Sequence, residues 1–397
     1  MRRATLITVV LLAALAGGAA ALGLAFASGL LGDRTETVVL PAVTAAGVPA
    51  PVASRLAVRP GALDAAAVYA SRSAGVVTIF AYFGKAGAPG SQAAQGSGFV
   101  VDRDGTILTS SHVITNAGEG VPVAPADRLY VEFGDHDRIP ARVVGWDVFD
   151  DVGVLRVDPR LHALAPVPLG DSAHVVVGEP VAAIGSPFGN EDSLTVGVVS
   201  AVHRSISSLT SDYELIDAIQ TDAPINHGNS GGPLFDSDGA VIGINAQIRT
   251  ESNGSTDGVG FAVPIDSARR SMQQLLDRGR VDYAYVGITS EDLTPSLAQH
   301  FGYAVSRGAV VDTVRAGSPG AKAGIRGGSS DVQVFDTPFT RGGDVIVAID
   351  GIPVTDADDV VRIVSERLSP GQTVTFTVVR GGRRLQLPVT LIERPAS

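Results

Sequence analysis

Thr221-Asp222-Ala223-Pro224-Ile225-Asn226-His227-Gly228-Asn229-Ser230-Gly231-Gly232-Pro233-Leu234 places one serine between a Gly-Asn pair and a Gly-Gly-Pro run. A serine hydroxyl is a weak nucleophile until a base takes its proton and fixed donors hold the oxyanion that forms on attack. Glycines on both sides let the backbone turn sharply and aim several N–H groups at one point. The stretch therefore makes Ser230 a candidate nucleophile, with the N–H groups of Gly228 and Ser230 as candidate oxyanion donors. The bland alternative is a glycine-rich hairpin with a solvent-facing serine. A histidine and an aspartate upstream, each in a suitable context, decide between the two.

His112 provides the first context. It follows the apolar run Thr106-Ile107-Leu108-Thr109 through Ser110-Ser111, at a strand end where a turn can present an imidazole to a cleft. An imidazole neutral near physiological pH is the natural base for a serine. Asp151 provides the second, opening the strand Val152-Gly153-Val154-Leu155-Arg156-Val157. A carboxylate entering an apolar strand is costly to bury without a partner, and a bond to a histidine N–H would supply one and fix the tautomer. Asp147 and Asp150 are its close rivals, and the bland reading for acids in this stretch is a solvated turn. The order His, Asp, Ser is that of chymotrypsin-type double β-barrels.

Outward from these residues the texture is all-β. Strands are predicted at 75–80, 98–101, 106–109, 129–133, 139–145, 152–157, 180–184, 194–202, 216–221, 233–235 and 241–247, with hairpin-turn chemistry at Asp102-Arg103-Asp104-Gly105. Short strands with frequent turns suit a barrel or a sandwich. Asp64 caps a short helix, and residues 84–95 read as a flexible Gly/Ala/Gln segment. Pro264-Ile265-Asp266 starts a helix that ends at Gly279, with Ile265, Ala268, Met272, Leu275 and Leu276 on one apolar face. A separate module is predicted over 283–397, with a helix capped by Asp356.

The N-terminus has a different composition. Met1-Arg2-Arg3 precedes an uncharged run from Ala4 to Gly32, long enough to span a bilayer, with the arginines placing the N-terminus inside. An uncleaved anchor over 1–32 is favoured over a signal peptide cut after Ala25-Phe26-Ala27. Residues 33–63 read as an extended linker.

The whole chain has 397 residues, 45% of them hydrophobic, with 47 glycines and 23 prolines, enough for two or three cored domains rich in turns. A net charge of −11 argues against general nucleic-acid binding. The absence of cysteine excludes disulfides, thiol chemistry and Cys-ligated metals. Scattered His and carboxylate residues lack ligand-like spacing, so no metal and no cofactor is expected.

Three segments carry a resemblance to the HtrA (Deg) family of serine proteases. They are Gly96-Ser97-Gly98-Phe99-Val100-Val101 through His112-Val113; Leu169-Gly170-Asp171-Ser172 with Val177 to Gly189; and Thr221 to Leu234. Carried over by position, the resemblance implies His112 as base, Asp151 as its orienter, Ser230 as nucleophile, and Gly228 and Ser230 as oxyanion donors. Ser111 stands where the family more often has asparagine, and Gly153 where it has alanine. The module at 283–397 resembles a PDZ domain. Tyr285-Val286-Gly287-Ile288 matches its carboxylate-binding loop, while Gly317 to Ile325 and Gly342 to Gly351 match its core. Consecutive backbone N–H groups there capture a chain terminus, and an open strand edge takes the peptide as an added strand. Residues 326–341 are an extra segment, read as a surface loop.

The resemblance implies a mainly β protein, a chymotrypsin-like double β-barrel protease domain over 64–282 and then a PDZ domain; the N-terminal transmembrane helix read from the apolar run precedes them. It implies an endopeptidase for misfolded or unstructured proteins, assembled as a homotrimer, with peptide C-termini bound at the PDZ domain. Ile225-Asn226-His227 and Asn245-Ala246-Gln247 are expected to border the specificity pocket. The competing class is a chaperone-like binding protein with a resting or inactive site.

Overall fold

Runs such as Val76-Val77-Thr78-Ile79 and Val152-Gly153-Val154-Leu155 combine β-branched residues with short length, which favours strands over helices. In the computed structural model, which describes residues 63–84, 92–117, 122–185, 193–211, 213–226, 228–246, 258–334 and 337–395, they close into two barrels. The first comprises β1 (Val76–Phe83), β2 (Gln92–Val100), β3 (Thr106–Thr109), β4 (Arg128–Glu132), β5 (Arg138–Asp147) and β6 (Val152–Val157), in the order β1-β2-β3-β6-β5-β4. The second comprises β7 (Pro180–Gly185), β8 (Ser193–Ser207), β9 (Glu214–Thr221), β10 (Pro233–Phe235), β11 (Val241–Ala246) and β12 (Gly260–Pro264), in the order β10-β11-β12-β9-β8-β7. Of the barrel and sandwich alternatives, the chain adopts the barrel, which leaves neither sheet with a free edge.

Each barrel fills its own interior. Ile79, Val100, Ile107, Val131 and Leu155 do so in the first, and Val181, Val199, Ile219 and Ile242 in the second. A further core runs between them, where Phe99, Leu108, Val152 and Val154 meet Ile184, Phe235 and Ile244. The predicted site residues sit at the ends of strands along this seam, so they are carried by well-packed elements. A short helix α1 (Ala65–Arg72), its first turn capped by Asp64 accepting from Ala67 N, adds Val68 to the same core.

Some sequence expectations shift here. Gln92–Gln95, read as flexible, are the start of β2 and pair with Phe83–Phe80 of β1. His112 leaves β3 through a one-turn helix, α2 (Ser111–Ile114). The helix predicted before Gly279 is α3 (Ile265–Arg278), which ends where Gly279 takes a left-handed φ of 74°. Ile265, Ala268, Met272 and Leu275 of its stripe are buried, but Leu276 is exposed.

The C-terminal module is built on a sheet ordered β14-β15-β18-β20-β21. Its strands are β13 (Ala284–Tyr285), β14 (Ile288–Leu293), β15 (Gly308–Val314), β16 (Ser330–Val334), β17 (Thr337–Arg341), β18 (Val345–Ile349), β19 (Ile352–Pro353), β20 (Thr373–Arg380), β21 (Arg383–Thr390) and β22 (Ile392–Glu393), with β19 beside β18. Helices α4 (Pro295–Phe301), α5 (Pro319–Ala323) and α6 (Ala357–Arg362) complete it, the last capped by Asp356 as expected. Alternation along the strands serves two cores. Ala309, Val311, Val378 and Phe376 pack with Val360, Ile363 and Val364, while Val310, Val345 and Val379 pack on the opposite face.

That second face corrects the reading of the extra segment. Residues 330–334 and 337–341 pair as the antiparallel strands β16 and β17, and Phe339 is 4% exposed and stacks on Phe301 at 5.4 Å between centroids. The segment is ordered because it covers apolar sheet surface that would otherwise face water. The predicted membrane anchor, 1–32, and the predicted linker, 33–63, except its last residue, lie outside the described residues. Among the described residues no helix is long and apolar enough to cross a membrane.

Candidate active site

The acid and the base meet first. Asp151 directly precedes β6 with φ at 51°, a left-handed conformation that non-glycine residues rarely adopt. The twist turns its carboxylate toward α2. There Oδ1 accepts from His112 N at 3.0 Å and Ser111 Oγ at 2.8 Å, and Oδ2 bonds His112 Nδ1 at 2.7 Å. The backbone closes the same contact, Ser111 N donating to Asp151 O at 3.1 Å. Burial alone would raise the Asp151 pKa, but the imidazole charge and these donors more than offset it and hold the carboxyl below the usual range. Burial likewise works against a charged His112, and the Asp151 carboxylate outweighs it, so the imidazole pKa is raised above 6.5. With the proton held at Nδ1 by Asp151, Nε2 is left as the acceptor, the tautomer that general-base chemistry needs.

Both departures from the family pattern have a physical place here. Ser111 is a direct donor to the acid, which its sequence position alone did not reveal. Gly153 lies so close to α2 that a Cβ would sit 2.7 Å from Ile114 Cδ1 and 3.1 Å from Ser110 O.

Ser230 sits in a turn tied to both barrels. Asn229 braces it from within, Oδ1 accepting from Asn226 N at 3.0 Å and Nδ2 donating to Pro224 O at 3.1 Å. From the first barrel, Ser97 Oγ donates to Gly228 O at 2.6 Å and Ser97 N to Ser230 O at 2.8 Å. From the second, Gly231 N donates to Asn245 O and Asn245 N to Gly232 O, each at 2.8 Å. Gly231 has φ of 82°, and a Cβ there would lie 2.4 Å from Ser97 O, so no other residue fits. Among the described residues, no hydrogen bond engages the N–H of Gly228 or Ser230. Ser230 itself is 4% exposed, and its Oγ is buried without a hydrogen-bond partner among the described residues. The imidazole–acid bond is thus made and the serine–imidazole bond is not, an arrangement common in substrate-free sites.

Asn245 braces the turn, its buried Nδ2 donating to Pro233 O at 3.1 Å and to Asn229 O at 3.4 Å. His227 and Gln247 lie outside the described residues. Asp147 is not a solvated turn acid: it is 3% exposed, with Oδ2 accepting from Ser271 Oγ at 2.6 Å and Tyr283 Oη at 2.5 Å. Burial first, then the nearby Asp150, push its pKa up to about 6 against those donors. Asp150 is partly buried and pairs with Arg270 at 3.0 Å. Neither rival touches His112, so Asp151 is the acid the structure brings to the base.

In the C-terminal module, Tyr285-Val286-Gly287-Ile288 runs from β13 into β14. Val286 O accepts from Gly320 N at 2.9 Å, and Gly287 O from Arg315 N at 2.9 Å and Ser318 Oγ at 3.2 Å. The loop is anchored through its carbonyls. Beyond it, β14 forms one edge of the sheet and pairs only with β15 among the described residues. Ala357 N, at the start of α6, donates to Asp292 Oδ1 of that strand at 2.8 Å. Among the described residues no cluster of His, Asp and Glu could hold a metal ion.

Comparison with known proteins agrees with this architecture. Residues 96–244 match the trypsin-like peptidase domain family and residues 284–391 the PDZ domain family. The chain is 40% identical over 309 residues to a probable periplasmic serine endoprotease DegP-like of Hahella chejuensis, covering 77% of this chain and 59% of the relative. It is 39% identical over 302 residues to Protease Do-like 1, chloroplastic, of Arabidopsis thaliana, covering 76% and 64%. The chain thus spans less than two thirds of these relatives. Among solved structures, the HtrA-type protease AlgW with a tripeptide superposes with a TM-score of 0.68 at 32% identity, over 84% of this chain and 98% of that one. With two closed barrels, a PDZ module and these relatives, the chain belongs to the HtrA (Deg) family of trypsin-like serine proteases.

Proposed function

We propose that this protein is an extracytoplasmic serine endopeptidase that cleaves unfolded or misfolded protein chains, with Ser230 as nucleophile, His112 as base and Asp151 as its orienter. The observation that carries the reading is the part-buried His112–Asp151 pair, bonded at 2.7 Å at the barrel seam, beside the glycine-flanked Ser230 turn. Ser230 Oγ attacks the scissile carbonyl while His112 Nε2 takes its proton, and the N–H groups of Gly228 and Ser230 hold the oxyanion. The imidazolium, stabilised by Asp151, then protonates the leaving amine. Water deprotonated by His112 releases the acyl group and restores the serine.

The test is a fluorophosphonate probe, which reacts only with an activated serine. Stoichiometric labelling mapped to Ser230 by mass spectrometry is expected. A folded protein that resists labelling yet keeps unfolded chains from aggregating would establish the chaperone-like reading instead.

The protease domain is proposed to span 64–282 and the PDZ domain 283–397. The PDZ domain binds free peptide carboxylates in the loop Tyr285–Ile288, with the peptide added beside β14. The AlgW structures carrying a tripeptide and a decapeptide support peptide binding as a family trait. Peptides with apolar C-termini are expected to bind at least about 10-fold more tightly as acids than as amides, a charge-assisted bond contributing about 1.5–3 kcal/mol. Equal affinities in a calorimetric titration would exclude this mode.

Residues 1–32 are proposed to anchor the chain in the membrane with the remainder outside the cytoplasm, and the assembly to be a homotrimer. Relatives described as periplasmic support the compartment. N-terminal sequencing and sedimentation equilibrium test the two points: a mature chain beginning near Ser28 would replace the anchor with a cleaved signal, and a monomer would remove the trimer.

A further inference from the structure

Asp151 owes its place to a turn, Val148–Asp151, that follows β5 and delivers the acid in a left-handed conformation. The donors within this turn converge on one side chain. Asp147 Oδ1 accepts from Phe149 N at 2.9 Å and Asp150 N at 3.4 Å. Its other oxygen takes the hydroxyls of Ser271 on α3 and of Tyr283, just before β13, at 2.6 and 2.5 Å. Each of the four hydrogen-bond partners donates, so the bonds suit an anion, which accepts only.

The rest of the turn is held from outside as well. Thr210 Oγ1 donates to Val148 O at 2.6 Å, and Asp150 pairs with Arg270 of α3. The Phe149 ring meets Tyr213 and Tyr283 edge-on at 5.4 and 5.1 Å, and the Arg394 guanidinium lies about equally over all three rings, 4.9–5.0 Å from each centroid. None of these groups touches His112 or Ser230. They touch what Asp151 hangs from.

We propose that Asp147 is a positioning residue for the proposed triad: its carboxylate, held by Ser271 and Tyr283, fixes the turn that presents Asp151 to His112. The proposal rests on the triad reading. Loss of the carboxylate leaves two backbone N–H groups and two hydroxyls without their acceptor. The turn relaxes, and the Asp151 carboxylate loses its alignment with Nδ1. Misplacement of a group supporting catalysis by about 1 Å costs up to 10²-fold.

A purely structural role for Asp147 would lower the fraction of folded enzyme without altering the molecules that remain. The pH profile separates the two roles, because Asp151 is what raises the His112 pKa. The charged groups facing Asp147 are Asp150 on its own turn, Arg270 on α3, Tyr283 before β13, and, acting through Arg270, Glu366 after α6. All but Tyr283, itself replaced in one variant, are unchanged in the variants below.

The experiment measures kcat, KM and the acid limb of kcat/KM for the full chain with an unstructured substrate. The variants are Asp147→Ala, Asp147→Asn and Tyr283→Phe, with Asp151→Asn as reference. Asp147→Ala is expected to lower kcat by about 10- to 100-fold, with KM within twofold and the acid limb moved to lower pH. Asp147→Asn keeps the acceptor for Phe149 N and is expected to recover most of kcat. Tyr283→Phe removes one hydroxyl and is expected to shift the limb in the same direction by less; it decides the question if Asp147→Ala does not fold. An unmoved limb in all three, with Asp151→Asn severely impaired, overturns the positioning role and leaves the triad standing. A near-normal Asp151→Asn overturns the triad reading itself.

Discussion

Ser230→Ala is expected to lose on the order of 10⁶-fold in kcat, the loss seen when the nucleophile of such a triad is removed. What remains comes from binding and the oxyanion donors, which the substitution leaves in place. Stability should move the other way from the usual buried polar deletion. Ser230 Oγ is buried and bonds none of the described residues, so alanine removes a desolvated hydroxyl without breaking one of their hydrogen bonds. The melting free energy is expected to stay within about 1 kcal/mol of the parent or to rise. Casein turnover, phosphonate labelling and a thermal melt on the same preparation check all three. Full turnover by the folded variant would remove Ser230 from the chemistry.

Asp151→Asn is expected to lower kcat by on the order of 10³–10⁴-fold. An amide at this position can still accept from Ser111 Oγ and His112 N, so α2 stays docked. Its NH₂ group then faces His112 Nδ1, which favours the tautomer with the proton on Nε2, where it cannot take one from Ser230. The pH dependence carries a second signature. The parent needs a neutral imidazole, so its activity appears as pH rises through a His112 pKa that lies above 6.5. Without the carboxylate only burial acts, and burial lowers that pKa, so the acid limb of the residual activity moves to lower pH. Linkage runs in the same sense. The raised His112 pKa contributes stability below 6.5 that is lost as pH rises through the folded value, and the depressed Asp151 pKa contributes stability above 3.8 that is lost as pH falls through its folded value. Stopped-flow kinetics across pH, with folding followed by circular dichroism, decides the assignment. A normal rate in this variant would return the acid's role to one of its neighbours.

Much of this arrangement is legible in the sequence because its signals are local. β6 and β10 fall on their predicted residues, Val152–Val157 and Pro233–Phe235, since turns bound short apolar runs on both sides. Helix α3 is readable because its apolar stripe, Pro264 and Gly279 agree. His112, Asp151 and Ser230 can be singled out because each sits at the edge of a strand signal. The surroundings of Asp147 are not local. Its two hydroxyl donors lie 124 and 136 residues away, so nothing near it distinguishes a buried carboxylate from a solvated one. Likewise, the strand pair at 330–334 and 337–341 looks like a loop because its ordering depends on Phe301 and on the second face of the module's sheet, which only the folded chain creates. Gln92–Gln95 lack β-branched residues altogether and are strand only because β1 pairs with them.

The pairing of β13 with β22, Ala284 opposite Glu393 and Tyr285 opposite Ile392, has an evolutionary consequence. The polypeptide enters and leaves the C-terminal module through neighbouring strands, at a single doorway. A unit joined in this way can be duplicated in tandem, exchanged for another or discarded by recombination without rethreading the barrels, because the spacing between its ends is fixed by its own hydrogen bonds. Descent within such a lineage can therefore vary the number of these modules while the peptide-cleaving core stays unaltered.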